Sequence, residues 1–73
     1  MLVFENTPVP FGRGTANASL SVENGDDGLN VRYELRADTG AVYVMTASNV
    51  GDGQLGGLIE ATMEDWSNES AEG

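Results

Sequence analysis

The chain has 73 residues with no Cys and no His, which leaves room for one small domain and excludes disulfides, thiolate or imidazole metal sites and histidine-based catalysis. Twelve acidic residues against three Arg and no Lys give a formal charge of −9, which excludes direct nucleic-acid binding, because that requires a basic surface. No apolar run could span a membrane and the N-terminus does not resemble a signal peptide, so a soluble cytoplasmic protein is expected.

The N-terminal segment begins with a short apolar stretch. "MLVFE" predicts a short strand, which would be the fourth of a sheet. Residues 6–14 predict an irregular loop, because Pro8, Pro10, Gly12 and Gly14 interrupt regular structure.

Residues 18–37 show the two-residue period of half-buried strands. In residues 18–23, Ala18, Leu20 and Val22 alternate with polar residues. The turn-forming segment "NGDDG" separates this strand from residues 29–37, where the alternation is unbroken. A two-stranded antiparallel hairpin with one apolar face is therefore predicted. The inward residues of its second strand are Leu29, Val31, Tyr33, Leu35 and Ala37.

The third predicted strand, residues 41–47, is apolar on both faces. Tyr43 and Met45 lie on one face, whereas Val42 and Val44 lie on the other. Three strands and one helix cover only one face of a sheet, so the second face must be covered either by residues 1–11 or by another molecule. The second alternative predicts a homodimer or a higher oligomer.

After residue 52 the apolar period becomes that of a helix. Asp52 is the expected N-cap of a helix from about residue 53 to about residue 67. Gly56 and Gly57 are expected where this helix approaches the sheet closely, and residues 68–73 are expected to form a frayed acidic tail. The apolar stripe consists of Leu55, Leu58, Ile59, Thr62, Met63 and Trp66.

These elements predict an α+β fold, with residues 1–67 as a single domain. It is an antiparallel meander of three or four strands with one C-terminal amphipathic helix packed on one face. Trp66 is the largest side chain of the stripe, and we expect it to close the core at the end of the helix.

Three segments approach known site chemistries but fit structural roles better. Residues 23–34 resemble a calcium loop in spacing, yet the first ligand is Glu23 and Gly25 offers no side-chain oxygen. The glycine-rich turn at residues 51–57 has no Lys for a phosphate. Glu60 and Glu64 lie one helical turn apart but on the solvent side, where carboxylates make poor catalysts. The sequence therefore predicts no metal, no cofactor and no enzyme activity.

Arg32 and Arg36 project from the outer face of the second strand, on either side of Glu34. One interpretation is that they pair with Glu23 or another acid across the hairpin. The alternative is that they and Tyr43 mark a partner-binding face, because Arg and Tyr are enriched at interface cores.

The acidic residues are the strongest functional signal. Acids near the C-terminal end of a helix oppose its dipole, so they were not selected for helix stability. They predict an anionic surface that binds a protein with a basic, nucleic-acid-binding surface and so inhibits or regulates it, by analogy of size and charge with phage-encoded inhibitors such as anti-CRISPR proteins. The candidate partner-binding residues are Glu60, Glu64, Asp65, Glu69, Asp26, Asp27, Asp38 and Tyr43.

Solvent adaptation is an alternative explanation for the acidity. Proteins adapted to high salt are acidic and poor in Lys. On this interpretation the chain is a structural or assembly module of a halophile or its virus, acidic for solubility and oligomeric through the third strand. The salt dependence of folding separates the two explanations.

Overall fold

The computed structural model describes the backbone of residues 1–72 and the side chains of residues 1–69. The four strands are β1 (Leu2–Phe11), β2 (Gly14–Asn24), β3 (Leu29–Ala37) and β4 (Val42–Val50). They form one antiparallel sheet in the order β1-β2-β3-β4. A 3-10 turn (Asp52–Gln54) leads into helix α1 (Leu55–Glu72), which packs on one face of the sheet. The predicted α+β meander with a C-terminal helix is confirmed.

β2 and β3 form the predicted hairpin, and its predicted inward residues point to the helix side. Across the sheet, Leu20 pairs with Tyr33, and Tyr33 pairs with Met45 of β4. The loop between β2 and β3 is tight, and the backbone of Gly28 adopts a φ of 149° there. A Cβ on Gly28 would lie 2.9 Å from the carbonyl carbon of Asn49. The close approach of the β2–β3 loop to the end of β4 therefore requires glycine at this position.

The prediction of a loop over residues 6–14 is wrong, because β1 is a ten-residue edge strand. Its hairpin with β2 closes on the pair formed by Phe11 and Gly14. Backbone amides alternate in direction along a strand, so positions 8 and 10 face the open edge, where Pro8 and Pro10 cost no hydrogen bond of the sheet. The register with β2 shifts near Asn6, which has a φ of 49°, as in a β-bulge.

The two apolar faces of β4 are confirmed, but the N-terminal segment does not cover the outer one. β1 lies in the plane of the sheet, and its apolar residues Phe4, Val9 and Phe11 pack against the helix-side core. On the opposite face, Val42 is 56% exposed and Val44 is 50% exposed. Coverage of this face by residues 1–11 is therefore wrong. Coverage by another molecule stays a prediction.

Both ends of α1 differ from the prediction. Gly51 rather than Asp52 precedes the first turn, and the Gly51 amide donates a hydrogen bond to the side-chain oxygen of Gln54 (3.2 Å). At the other end the helix continues to Glu72 instead of ending near residue 67. Most of the predicted frayed tail is therefore helical, and Gly73 lies outside the described residues.

The predicted apolar stripe of α1 faces the sheet, and Thr62 is its most buried residue. Gly56 and Gly57 are exposed, and a Cβ at either position would meet no atom within 4 Å. The prediction that these glycines allow a close approach to the sheet is therefore wrong. The stripe residues that pack against the core are Leu55, Leu58, Ile59, Met63 and Trp66.

All five aromatic side chains form one continuous series of contacts that ties the helix to the sheet. Trp66 stacks on Tyr33, with ring centroids 5.7 Å apart and planes 1° from parallel, and its centroid lies 5.4 Å from that of Tyr43. Each tyrosine also contacts a phenylalanine of β1, Tyr33 with Phe4 and Tyr43 with Phe11. The predicted place of Trp66 in the core is therefore confirmed.

Candidate partner-binding surface

Helix α1 carries exposed carboxylates on the sides that do not contact the sheet. Glu60, Glu64, Asp65 and Glu69 are all exposed, and we call these four residues the acidic helix surface. At about 100° per residue, Glu60 and Glu64 form one row, and a second row of Asp65 and Glu69 begins about 100° further around the helix. No basic residue occurs in the sequence of α1. The acidic helix surface is therefore a patch of one sign of charge.

The turn acids lie at opposite ends of the sheet. Asp26 and Asp27 are exposed in the β2–β3 loop, whereas Asp38 is exposed in the β3–β4 turn. The length of β3, about 26 Å for nine residues, separates the two turns. α1 starts at the end that holds Asp26 and Asp27, and Trp66 contacts Tyr43 near the end that holds Asp38. The acids are therefore spread along the helix direction instead of converging on one point.

Tyr43 does not share a surface with the two arginines. Its ring is half-buried on the helix side of the sheet, between Trp66 and Phe11. Arg32 and Arg36 are exposed on the opposite face of the sheet. The three side chains therefore do not form the joint contact face that one interpretation of the sequence required.

The two arginines pair with the acid that lies between them on β3. Arg32 Nη1 is 3.1 Å from Glu34 Oε2, and Arg36 Nε is 2.9 Å from Glu34 Oε1. The hydrogen bonds from Arg36 and then Arg32 hold the pKa of the Glu34 carboxyl below its usual range. Charge pairing is confirmed, but pairing with Glu23 or an acid across the hairpin is wrong.

The open edge of β4 is a further candidate surface. At the β3–β4 turn, the Ala37 amide donates to the carbonyl of Ala41 (2.9 Å). Every second residue from Ala41 to Ala47 therefore directs its backbone groups at β3, and beyond Ala47 the register with β3 shifts. The residues between them, Val42, Val44 and Thr46, direct their N–H and C=O groups away from the sheet, where none of them has a backbone partner within residues 1–72.

The open edge of β4 was not predicted from the sequence, although the sequence contains one signal for it. Residues 39–51 form the longest segment of the chain without a charged side chain, and β4 lies within it. Which strands lie at the edges depends on the strand order, however, and the alternation of side chains does not reveal that order.

The chain matches no known protein family, and neither a curated protein nor a solved structure shows significant similarity to it. No helix of the described residues is long and apolar enough to cross a membrane. Among the described side chains, no three of the types His, Cys, Asp and Glu come together as a metal site requires.

Proposed function

We propose that this chain is a non-enzymatic binding protein whose acidic helix surface engages a basic surface of a partner protein. The observation that carries the proposal is the presence of four exposed carboxylates on one helix that has no basic residue. A rigid helix holds these charges at fixed spacings, which a flexible acidic tail cannot do.

The charge density of this surface supports a partner that normally binds nucleic acid. Glu60 and Glu69 are nine residues apart, which corresponds to about 13.5 Å along the helix axis. Four carboxylates over that length give an average spacing of about 4.5 Å, close to the roughly 3.4 Å per charge along one DNA strand. The surface therefore suits a nucleic-acid mimic that occupies the basic groove of a cytoplasmic protein, as small acidic inhibitors of the anti-CRISPR kind do.

The distribution of charge over the molecule favours the helix side as the contact surface. Arg32 and Arg36 lie on the outer face of the sheet, where Glu34 pairs with both of them and Glu5 and Glu23 lie nearby. The outer sheet face therefore carries charges of both signs, so a basic partner is attracted more strongly to the helix side. The turn acids extend the negative field at both ends of the helix without forming a surface of their own.

The test compares two triple charge reversals that change the net charge equally. One variant carries Glu60→Lys, Glu64→Lys and Asp65→Lys, and the other reverses the turn acids Asp26, Asp27 and Asp38. Each moves the formal charge from −9 to −3, because every reversal adds two charges. The helix variant is expected to lose about a hundredfold in affinity, from three charge pairs worth on the order of 1 kcal/mol each, and the turn variant much less.

The partner is isolated from a host lysate on immobilised wild-type protein and eluted with duplex DNA, because a nucleic-acid mimic competes with nucleic acid for the same groove. Titration calorimetry of the isolated partner at two salt concentrations then compares the three proteins. A large loss for the helix variant alone, with wild-type affinity falling as salt rises, supports the proposal. Equal losses in both variants, or an affinity indifferent to salt, would refute it.

An assembly module is the second candidate function, because Val42 and Val44 are exposed on the outer face of β4. In the halophile form of this candidate, the acids serve solubility in strong salt and the fold should be lost in dilute buffer. The binding-protein proposal expects a folded chain at low salt. Circular dichroism from about 10 mM to molar salt separates the two, since only one of them predicts unfolding at the low end.

A further inference from the structure

We infer that two copies of this chain pair through the open edges of β4 and join their four-stranded sheets into one continuous antiparallel sheet. The two edges of the sheet differ in their capacity to pair with another strand. On β1, Pro8 and Pro10 remove the outward amides, and the irregular register near Asn6 bends the strand. β4 has a register shift of its own beyond Ala47, where Asn49 has a φ of 60°, but residues 42–47 pair regularly with β3 and include no Pro and no charged side chain. This part of the β4 edge therefore retains donors and acceptors for another strand.

The charge distribution indicates that the strand paired with β4 comes from another copy of the same chain. A protein of charge −9 repels its own copies over most of its surface, and residues 39–51 are its longest uncharged segment. A basic partner, in contrast, finds no acid on β4 to attract it. Two copies related by a two-fold axis also present the same strand to each other, which makes an isologous antiparallel contact.

The positions of the outward backbone groups specify the register of the pair. A two-fold axis at Val44 places Val44 opposite its own copy and Val42 opposite Thr46 of the other copy. All three outward-facing residues then form about six backbone hydrogen bonds, whereas a shift in either direction leaves one of them without a regular partner. On the helix side the same register places Tyr43 beside Met45 of the other copy, an aromatic–sulfur pair.

Sedimentation equilibrium of the full chain tests the association directly. We expect a monomer–dimer equilibrium that tightens as salt rises, because salt screens the repulsion between two copies of charge −9. This salt dependence is opposite to that expected for binding of a basic partner, so failure of one proposal is distinguishable from failure of the other. A monomer at millimolar concentration in molar salt would overturn the dimer.

Single-cysteine variants test the register, because the chain has no native Cys. Val44→Cys places two thiols opposite each other, with Cα atoms about 5.5 Å apart, which is within disulfide range. Val3→Cys on β1 is the matched control, since Val3 and Val44 are both 50% exposed. We expect Val44→Cys to form the intermolecular disulfide on the order of tenfold faster than the control. Equal rates, with circular dichroism showing both variants folded, would overturn the pairing.

Amide hydrogen exchange of the wild-type chain distinguishes edge pairing from stacking of the outer sheet faces and requires no variant. At high protein concentration the amides of Val42, Val44 and Thr46 should gain protection, while those of Tyr43 and Met45 are protected at every concentration by bonds to β3. Concentration-independent exchange at the three outward amides would overturn the proposal, even if a dimer is present.

Discussion

Replacing Trp66 with Ala is expected to remove about 3–5 kcal/mol from the free energy of unfolding. Trp66 is half-buried, and its ring contacts Tyr33 and Tyr43 at centroid distances of 5.7 and 5.4 Å. Burial of roughly 150 Å² at about 25 cal/mol per Å² is worth about 4 kcal/mol. The two ring contacts add about 0.5–1.5 kcal/mol each, and movement of the helix toward the gap offsets part of the total. A chain of this length has about 4–11 kcal/mol in all, so the variant should lose from about a third to nearly all of its stability.

Urea unfolding followed by circular dichroism measures this loss, because the variant lacks the only Trp fluorophore of the chain. Trp66→Phe is the control, since it keeps an aromatic ring beside both tyrosines and should lose only about 1–2 kcal/mol. An unchanged midpoint and slope for Trp66→Ala would refute the reasoning. Trp66 would then be an exposed side chain available to a partner.

Four single substitutions test other positions. The hydroxyl of Tyr33 donates to the sulfur of Met63 (3.2 Å), and burial raises the pKa of Tyr33 above its ordinary value of 10.0. The contribution of the neutral Tyr33 hydroxyl to stability is therefore complete below pH 10.0 and is lost as the pH rises through the folded-state pKa. In urea unfolding measured at increasing pH, Tyr33→Phe should therefore lose less stability above pH 10.0 than the wild type does. The pKa of Glu34 is lowered instead, so the contribution of its carboxylate to stability is present above the ordinary pKa of 4.5 and is lost as the pH falls through the folded-state pKa. In urea titrations below pH 4.5, the difference in stability between the wild type and Glu34→Gln should therefore shrink. Gly57→Ala should stabilise the helix by about 1 kcal/mol. Gly28→Ala should destabilise the fold, because its Cβ would lie 2.9 Å from a backbone carbon. Equal shifts of the two urea midpoints would contradict the different roles given to these two glycines.

The alternation in residues 18–37 was sufficient to predict β2, β3 and their inward faces, since the side of a strand that faces water is a local property. The same logic failed at β1, because the edge or central position of a proline-containing strand depends on its neighbours. It also failed beyond Trp66, where the apolar stripe ends. Residues 67–72 contain no Gly or Pro, and an established helix extends at little cost, so α1 continues to Glu72.

The sequence by itself determined the α+β class, the apolar stripe of α1 and the absence of any cation beside its acids, because periodicity and charge are readable residue by residue. Only the tertiary structure decided that Arg32 and Arg36 share Glu34, that Asp26 and Asp38 lie at opposite ends of the sheet, and that β4 is an open edge with an uncovered outer face. Those features depend on which strands pair and in what order, and pairings between residues distant in the chain leave no periodic trace in any one segment.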